Sequence, residues 1–411
     1  MLSPYTVLDL SDDRGEMASM ILGDLGANVV KVEPPYGSSS RRMGPFLEDA
    51  PEPENSLQFF AFNRNKRGVT LDVTTKAGRA ALLRLAEKAD FVIESAGPGE
   101  MAKLGLGFDA FEKANPSIIY VAISAFGQDG PHADYAASDL TFAAMGGPMS
   151  VQGNPERAPV RLSVPQAWLH ASSEAAVAAL TAHALMIQTG QGQFVDVSAQ
   201  TSMIATMLHA RLAHAIQGSD MERAGSVLQA GAIELPLVHE CADGYVVLIP
   251  TGATMTGMVP WMVEDGIVPE EWIEGEDWAT YDHRFLQQQP VVYALEDVFD
   301  AIRRYVLLHT KADMLDRGLR DNVTIAPINT VEDLTKFHQL EERGYWLMAP
   351  LPDGTDTAVA GILAQLSETP LDVKRWAPKL GQHNHEILIE MLGMSEAQAI
   401  EGGATIPQEK E

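Results

Sequence analysis

The sequence predicts an α/β fold built on a doubly wound parallel sheet. Three observations predict it. The chain opens strand, helix, strand. That alternation continues to about residue 126. The strands are short apolar runs, as a sheet covered on both faces requires.

Each element has its own signal. TVLDLS (6–11) is a short apolar strand. GEMASMILGDLGA (15–27) has helical spacing, which puts Met17, Met20, Ile21 and Leu25 on one face. NVVKVEPP (28–35) is a second strand, stopped by two prolines. GVTLDV (68–73), DFVIES (90–95) and IIYVAISAF (118–126) read as further strands. KAGRAALLRLAEKA (76–89) reads as a helix with Ala80, Leu83 and Ala86 on its apolar face. An Ala-rich helix over about 169–188 ends at the Gly190–Gly192 turn, and SAQTSMIATMLHARLAHAI (198–216) reads as another helix. Around 225–249 the pattern changes to short strands with turns. A helical stretch follows at 295–308, so 225–330 reads as a second, smaller domain. APKLGQHNHEILIEMLGMSEAQAIE (377–401) reads as a pair of short helices, and TIPQEKE (405–411) as a loose tail.

The chain has 411 residues and one cysteine, Cys241, so no internal disulfide can form. No basic start precedes an apolar run at the N-terminus, and no apolar stretch is long enough to cross a bilayer. A cytoplasmic protein is expected. The net charge is −27, which disfavours nucleic acid and anionic membranes as partners. The charge is uneven: residues 1–113 carry 13 Lys and Arg against 17 Asp and Glu, a net −4, and the rest of the chain holds −23. An anionic ligand is therefore expected in the N-terminal quarter.

Several chemistries lack their motifs. The first turn, SDDRGE, is not a glycine-rich dinucleotide fingerprint, and there is no Walker loop and no Gly-x-Ser-x-Gly elbow. HNHE (383–386) has no second cluster to complete a metal site, so no metal is expected. Cys241 reads as structural. FNRNKRGVTLDV (62–73) places Arg64, Lys66 and Arg67 before a strand. In so acidic a chain this is a candidate anion contact.

VLDLSDDRGEMASMILGDLGANVVKVEPP, FNRNKRGVTLDVTTKAGRAALLRLAEKADFVIES, AGPGEMAKLGLGFDAFEKANPSIIYVAISAFGQDGP and TGQGQFVDVS occur in this order, and CADGYVVL continues the series. They resemble the family III CoA-transferases, also called the formyl-CoA transferase or carnitine CoA-transferase family. The resemblance implies a large Rossmann-like domain made from both ends of the chain, 1–222 and 335–411. A small α+β domain, 225–330, is inserted through linkers near 222–230 and 325–340. It implies an intertwined dimer and an acyl-CoA ligand, with a carboxylic acid as second substrate. Carried over by position, the CoA contacts fall on Asp12, Asp13, Arg14 and Gly15 after the first strand, and on Leu71 and Thr74 at the adenine side. Ser95 and Ala96 follow VIE, and the basic residue that meets the phosphates falls on Lys103, followed by Leu104. Asp12 and Asp13 depart from the family pattern, since two acids sit awkwardly beside an anion.

The family's nucleophile is an aspartate on the turn before the Ala-rich helix. It takes the acyl group from the thioester as a mixed anhydride and then carries CoA itself. Counted back from TGQGQ, that slot holds Trp168, flanked by Ala167 and Leu169. The related α-methylacyl-CoA racemases place a histidine before Asp139, where this chain has Ser138. Three readings follow. The chain is the nucleophile-lacking subunit of a heteromer, as in the benzylsuccinate CoA-transferases, beside a homologous subunit. Alternatively it acts alone, as a transferase or an acyl-CoA isomerase, using His170 or Glu174, an i, i+4 pair. Or it binds acyl-CoA without catalysis.

Overall fold

The computed structural model describes residues 1–230 and 233–405. Residues 406–411 of the expected tail, and 231–232 within the 225–249 strand region, lie outside the described residues.

Six parallel strands form the central sheet: β1 (Thr6–Asp9), β2 (Asn28–Glu33), β3 (Lys66–Thr70), β4 (Phe91–Glu94), β5 (Ile119–Ser124) and β6 (Gln193–Ser198). Their order is β3-β2-β1-β4-β5-β6, and Val7 pairs with Val29 on one side and with Phe91 on the other. The chain therefore builds outward from β1 in one direction, then returns and builds in the other. This doubly wound arrangement leaves a crevice at the carboxyl ends of β1 and β4, where the order reverses. Strands β1 to β5 are almost wholly buried, which is why they read as apolar runs rather than alternating ones.

Helices α1 (Glu16–Asp24), α2 (Leu57–Phe62), α3 (Lys76–Ala86), α4 (Glu100–Lys103) and α5 (Phe108–Ala114) fill the first crossovers. After them come α6 (Asp139–Met145), α7 (Ala167–Thr189), α8 (Ala199–Ala205) and α9 (Leu208–Gln217). Two helix faces differ from the sequence expectation. In α1 the buried residues include Ala18, Met20 and Leu22, while Met17 and Ile21 are only half-buried. In α3 they are Gly78, Ala81, Leu82, Leu85 and Ala86, while Ala80 is exposed. The expected helix over 198–216 is two helices, α8 and α9, parted at Thr206 and Met207. Helix α7 buries a row of small residues, Ala171, Ala175, Ala179 and Ala182, so its backbone packs closely against α1 and the sheet. Gly192 is required in the turn that follows, because a Cβ there would stand 1.9 Å from the Ile118 carbonyl oxygen.

The C-terminal segment closes the β3 edge of this unit. Asn384, buried, accepts from the Thr70 amide (2.8 Å) and donates to Thr70 Oγ1 (2.9 Å), and His383 Nδ1 accepts from the Gly68 amide (3.0 Å). HNHE thus finishes a sheet edge. A π-helical turn, His385–Met391, and a short helix, Glu396–Glu401, follow.

The chain divides into two compact units. The first holds 1–149, 161–220 and 339–411. The second holds 150–160 and 221–338. The second unit has a three-stranded antiparallel sheet of Val238–Cys241, Gly244–Leu248 and Ile325–Pro327. Helices Gly252–Glu264 and Leu295–Val306 contribute Met258, Trp261, Ile302 and Tyr305 to a core shared with Val246 and Leu248. Cys241 is buried in that core and burial pushes its thiol up, so it is a poor nucleophile.

Candidate functional site

The crevice at β1 and β4 gathers charged and polar side chains. The turn after β1 abuts the turn after β4. Ser95 Oγ accepts from the Asp12 amide (2.9 Å) and donates to Asp12 Oδ1 (2.8 Å). Gly15 is required here, because a Cβ would lie 2.8 Å from that of Ser11. Arg14 folds back onto Asp12 with a two-pronged contact, Nε to Oδ1 at 2.8 Å and Nη2 to Oδ2 at 2.7 Å. Burial alone would raise the Asp12 carboxyl, but Arg14 and Ser95 hold it below its ordinary value. The awkward acid at Asp12 is therefore neutralised from within the turn. Asp13 is different: burial, Asp12 and Glu16 all raise its carboxyl.

Glu94, at the end of β4, was not singled out from the sequence. It is buried, and burial pushes its carboxyl up to about 7 although the Ala96 amide (2.6 Å) and Arg14 favour the charged form. Its sequence signal is an acid that ends an apolar strand.

The other positions expected to meet CoA are spread along the same edge of the sheet. Leu71 follows β3 and is buried in the core, and its amide donates to the Glu33 carbonyl (2.8 Å), so it offers a ligand no open surface. Thr74 is exposed, and its hydroxyl bonds Asp72 Oδ1. Ala96 is exposed beside Glu94. Lys103, 70% exposed, pairs with Glu100 at the end of α4, and Leu104 packs against the core. The basic run 64–67 does not offer its charges to a ligand. Arg64 pairs with Asp24 (2.7 Å), Lys66 with Asp9 (2.9 Å), and Arg67 with Glu386. The expected anion contact is thus a set of structural ion pairs.

Helix α7 approaches the crevice through Ser172, whose hydroxyl donates to the Arg14 carbonyl (3.3 Å). Its start is held by Asp139, which sequence reasoning met only as part of a racemase-like pattern. Asp139 Oδ1 accepts from the amides of Gln166 (2.6 Å) and Ala167 (2.7 Å), so a carboxylate from α6 caps the helix. Half-buried Trp168 packs edge-on against Phe142 of α6, with ring centroids 4.9 Å apart. The His170 amide donates to the Gln166 carbonyl (2.9 Å). Glu174 is engaged by α8 instead of His170: its Oε2 accepts from Ser202 Oγ at 2.6 Å. Among the described residues no group of His, Cys, Asp or Glu is arranged to hold a metal ion, and no helix is long and apolar enough to cross a membrane.

The model of CoA-transferase family III matches residues 2–384. The chain belongs to this family. Relatives of this family III chain agree over nearly their whole lengths. The succinyl-CoA:(R)-benzylsuccinate CoA-transferase subunit BbsE of Thauera aromatica is 32% identical, covering 94% of this chain and 93% of that one. The succinate–glutarate CoA-transferase of Agrobacterium fabrum is 30% identical, covering 95% of each. Among solved structures, a CAIB/BAIF family protein from Brucella suis superposes with a TM-score of 0.81 at 26% identity, covering 95% of this chain and 99% of that chain. The chemistry of the family is CoA transfer, with CoA thioesters and carboxylic acids as substrates.

Proposed function

We propose that this chain is the subunit without a nucleophile in a heteromeric family III CoA-transferase. A homologous partner supplies the carboxylate that takes the acyl group. The observation that carries this reading is the occupant of the nucleophile slot at the start of α7. In this reading it is Trp168, whose indole can form no anhydride and which packs, half-buried, against the core beside Phe142. Neighbouring carboxylates are committed elsewhere: Asp139 caps α7 and Glu174 bonds Ser202.

Two further features support it. The chain resembles a relative named as a subunit of such an enzyme. Apolar side chains are also exposed on this chain: Val177 of α7 (66%) and Phe194 of β6 (39%) line one groove, and Ile216 of α9 is 83% exposed. Faces of this kind are buried by partners, here a related subunit or a second copy.

In this reading the chain contributes an acyl-CoA cradle at the 12–15 and 94–96 turns. The test is acyl-CoA:carboxylate exchange by the isolated chain, with and without hydroxylamine to trap acyl intermediates. The expected result is CoA binding, no exchange and no trapped hydroxamate. Exchange by the chain alone would overturn the proposal and move the search to His170 and Glu174. CoA binding with no exchange even after a partner is restored would leave a non-catalytic acyl-CoA binding protein.

A further inference from the structure

Beneath the 12–15 turn lies a buried ionic cluster that none of the chemistry above uses. Asp9, Glu16, Glu33, Lys31, Lys66 and Arg41 are each 0–1% exposed, three acids against three bases. Lys31 Nζ bonds the carbonyl of Ser11, the last residue before the turn, and lies 2.9 Å from Oε1 of Glu16, the first residue after it. One ammonium therefore clasps both ends of the turn. Glu16 Oε1 also accepts from Ser40 Oγ (2.6 Å) and Ser38 Oγ (3.4 Å). These belong to a second turn, 38–42, whose Ser39 hydroxyl reaches Asp12 Oδ2 (3.5 Å) and Asp13 Oδ1 (3.4 Å). Lys66 Nζ holds the same corner through the Glu16 carbonyl (2.8 Å) and Asp9 Oδ2 (2.9 Å). Glu16 Oε2 is buried with no partner among the described residues, so Oε1 fixes the carboxylate.

We infer that Glu16, seated between Lys31 and Ser40, is a positioning residue for acyl-CoA: it sets the 12–15 turn against the 38–42 turn without touching the ligand. This rests on the reading that the 12–15 turn meets CoA. The geometry separates three roles. Removing a buried acid leaves the cluster one positive charge in excess. A purely electrostatic role therefore predicts tighter binding of a polyanion. A purely structural role predicts lower thermal stability with unchanged affinity. Positioning predicts weaker binding.

The experiment measures the Kd for coenzyme A by titration calorimetry, together with amide hydrogen exchange at residues 12–16. The proteins are the full chain, Glu16→Ala, Glu16→Gln and Ser40→Ala. Losing a hydrogen bond to a charged group should raise the Kd about tenfold in Glu16→Ala. Gln keeps an acceptor at the Oε1 position and should restore most of that loss. Ser40→Ala, a neutral change that spares the ion pairs, should weaken binding and speed exchange even if Glu16→Ala fails to fold. Unchanged or tighter binding in the folded variants, with unchanged exchange at 12–16, overturns the inference. If the parent chain itself binds no CoA, the acyl-CoA reading fails instead, and the exchange rates alone then decide whether Glu16 orders the turn.

Discussion

Trp168 stands edge-on to Phe142 with ring centroids 4.9 Å apart, at the first turn of α7. The pair ties α7 to α6 at the position that the proposed function reads as the nucleophile slot. Truncating a fully buried aromatic costs ~3–5 kcal/mol, and half-buried Trp168→Ala should cost about 2 kcal/mol, read as a lowered denaturation midpoint. CoA binding should not change, because Trp168 is no part of the cradle. Trp168→Asp should in addition form a hydroxylamine-sensitive acyl adduct, detectable by mass. Absence of any adduct in a folded, CoA-binding variant would show that the slot has lost more than its nucleophile.

Asp139 substitutes for a local cap at the start of α7. Asp139→Ala should lower stability by about 1 kcal/mol, the usual cost of losing a helix cap, and Asp139→Asn, which keeps an acceptor, by less. Thermal melts of both variants check this. Equal losses would mean that charge at the helix end, not the hydrogen bonds, is the source.

Glu94 should make CoA affinity depend on pH. Burial pushes its carboxyl up to about 7, so it is largely neutral at pH 6 and charged at pH 8 beside a polyanion. The Kd for CoA should rise over that interval, by at least about threefold more in the parent chain than in Glu94→Gln. Equal profiles in the two proteins would place Glu94 away from the ligand.

His183 sits in the core between Tyr5 and Phe91, at ring distances of 4.3 and 5.1 Å, and its Nε2 has no partner among the described residues. Burial lowers its pKa below the ordinary 6.5, with Asp90 opposing weakly. The folded state holds the neutral ring while the unfolded chain takes up a proton. Stability is therefore unaffected by this group above the unfolded value and falls as pH drops below it. The melting temperature should drop more steeply from pH 7 to pH 5 in the parent chain than in His183→Gln. Parallel profiles would remove His183 from the acid sensitivity.

Much of the fold is legible in the sequence because its signals are local. The β1–α1–β2 opening shows in apolar runs stopped by Pro34 and Pro35, and the end of α7 shows in Gly190. What fails to show depends on distant partners. Arg64 and Arg67 look like free cations until Asp24 and Glu386 arrive from elsewhere in the chain. Met17 and Ile21 look like a core face, but they stay half-buried in a groove shared with Phe60 and Trp376. Asp139 caps a helix that begins 28 residues later. Within the site, Asp12 reads as a misfit until Arg14 is seen folded onto it, two residues away and in a turn whose shape the sequence does not specify.

In the proposed function this chain works as one half of a pair. Native mass spectrometry of the untagged protein from its own cells, with exchange activity followed through separation, tests it most directly. The expected result is a complex with a related CoA-transferase chain in equal numbers, and activity that is lost on separation and returns on mixing. A homodimer that exchanges CoA unaided would contradict it.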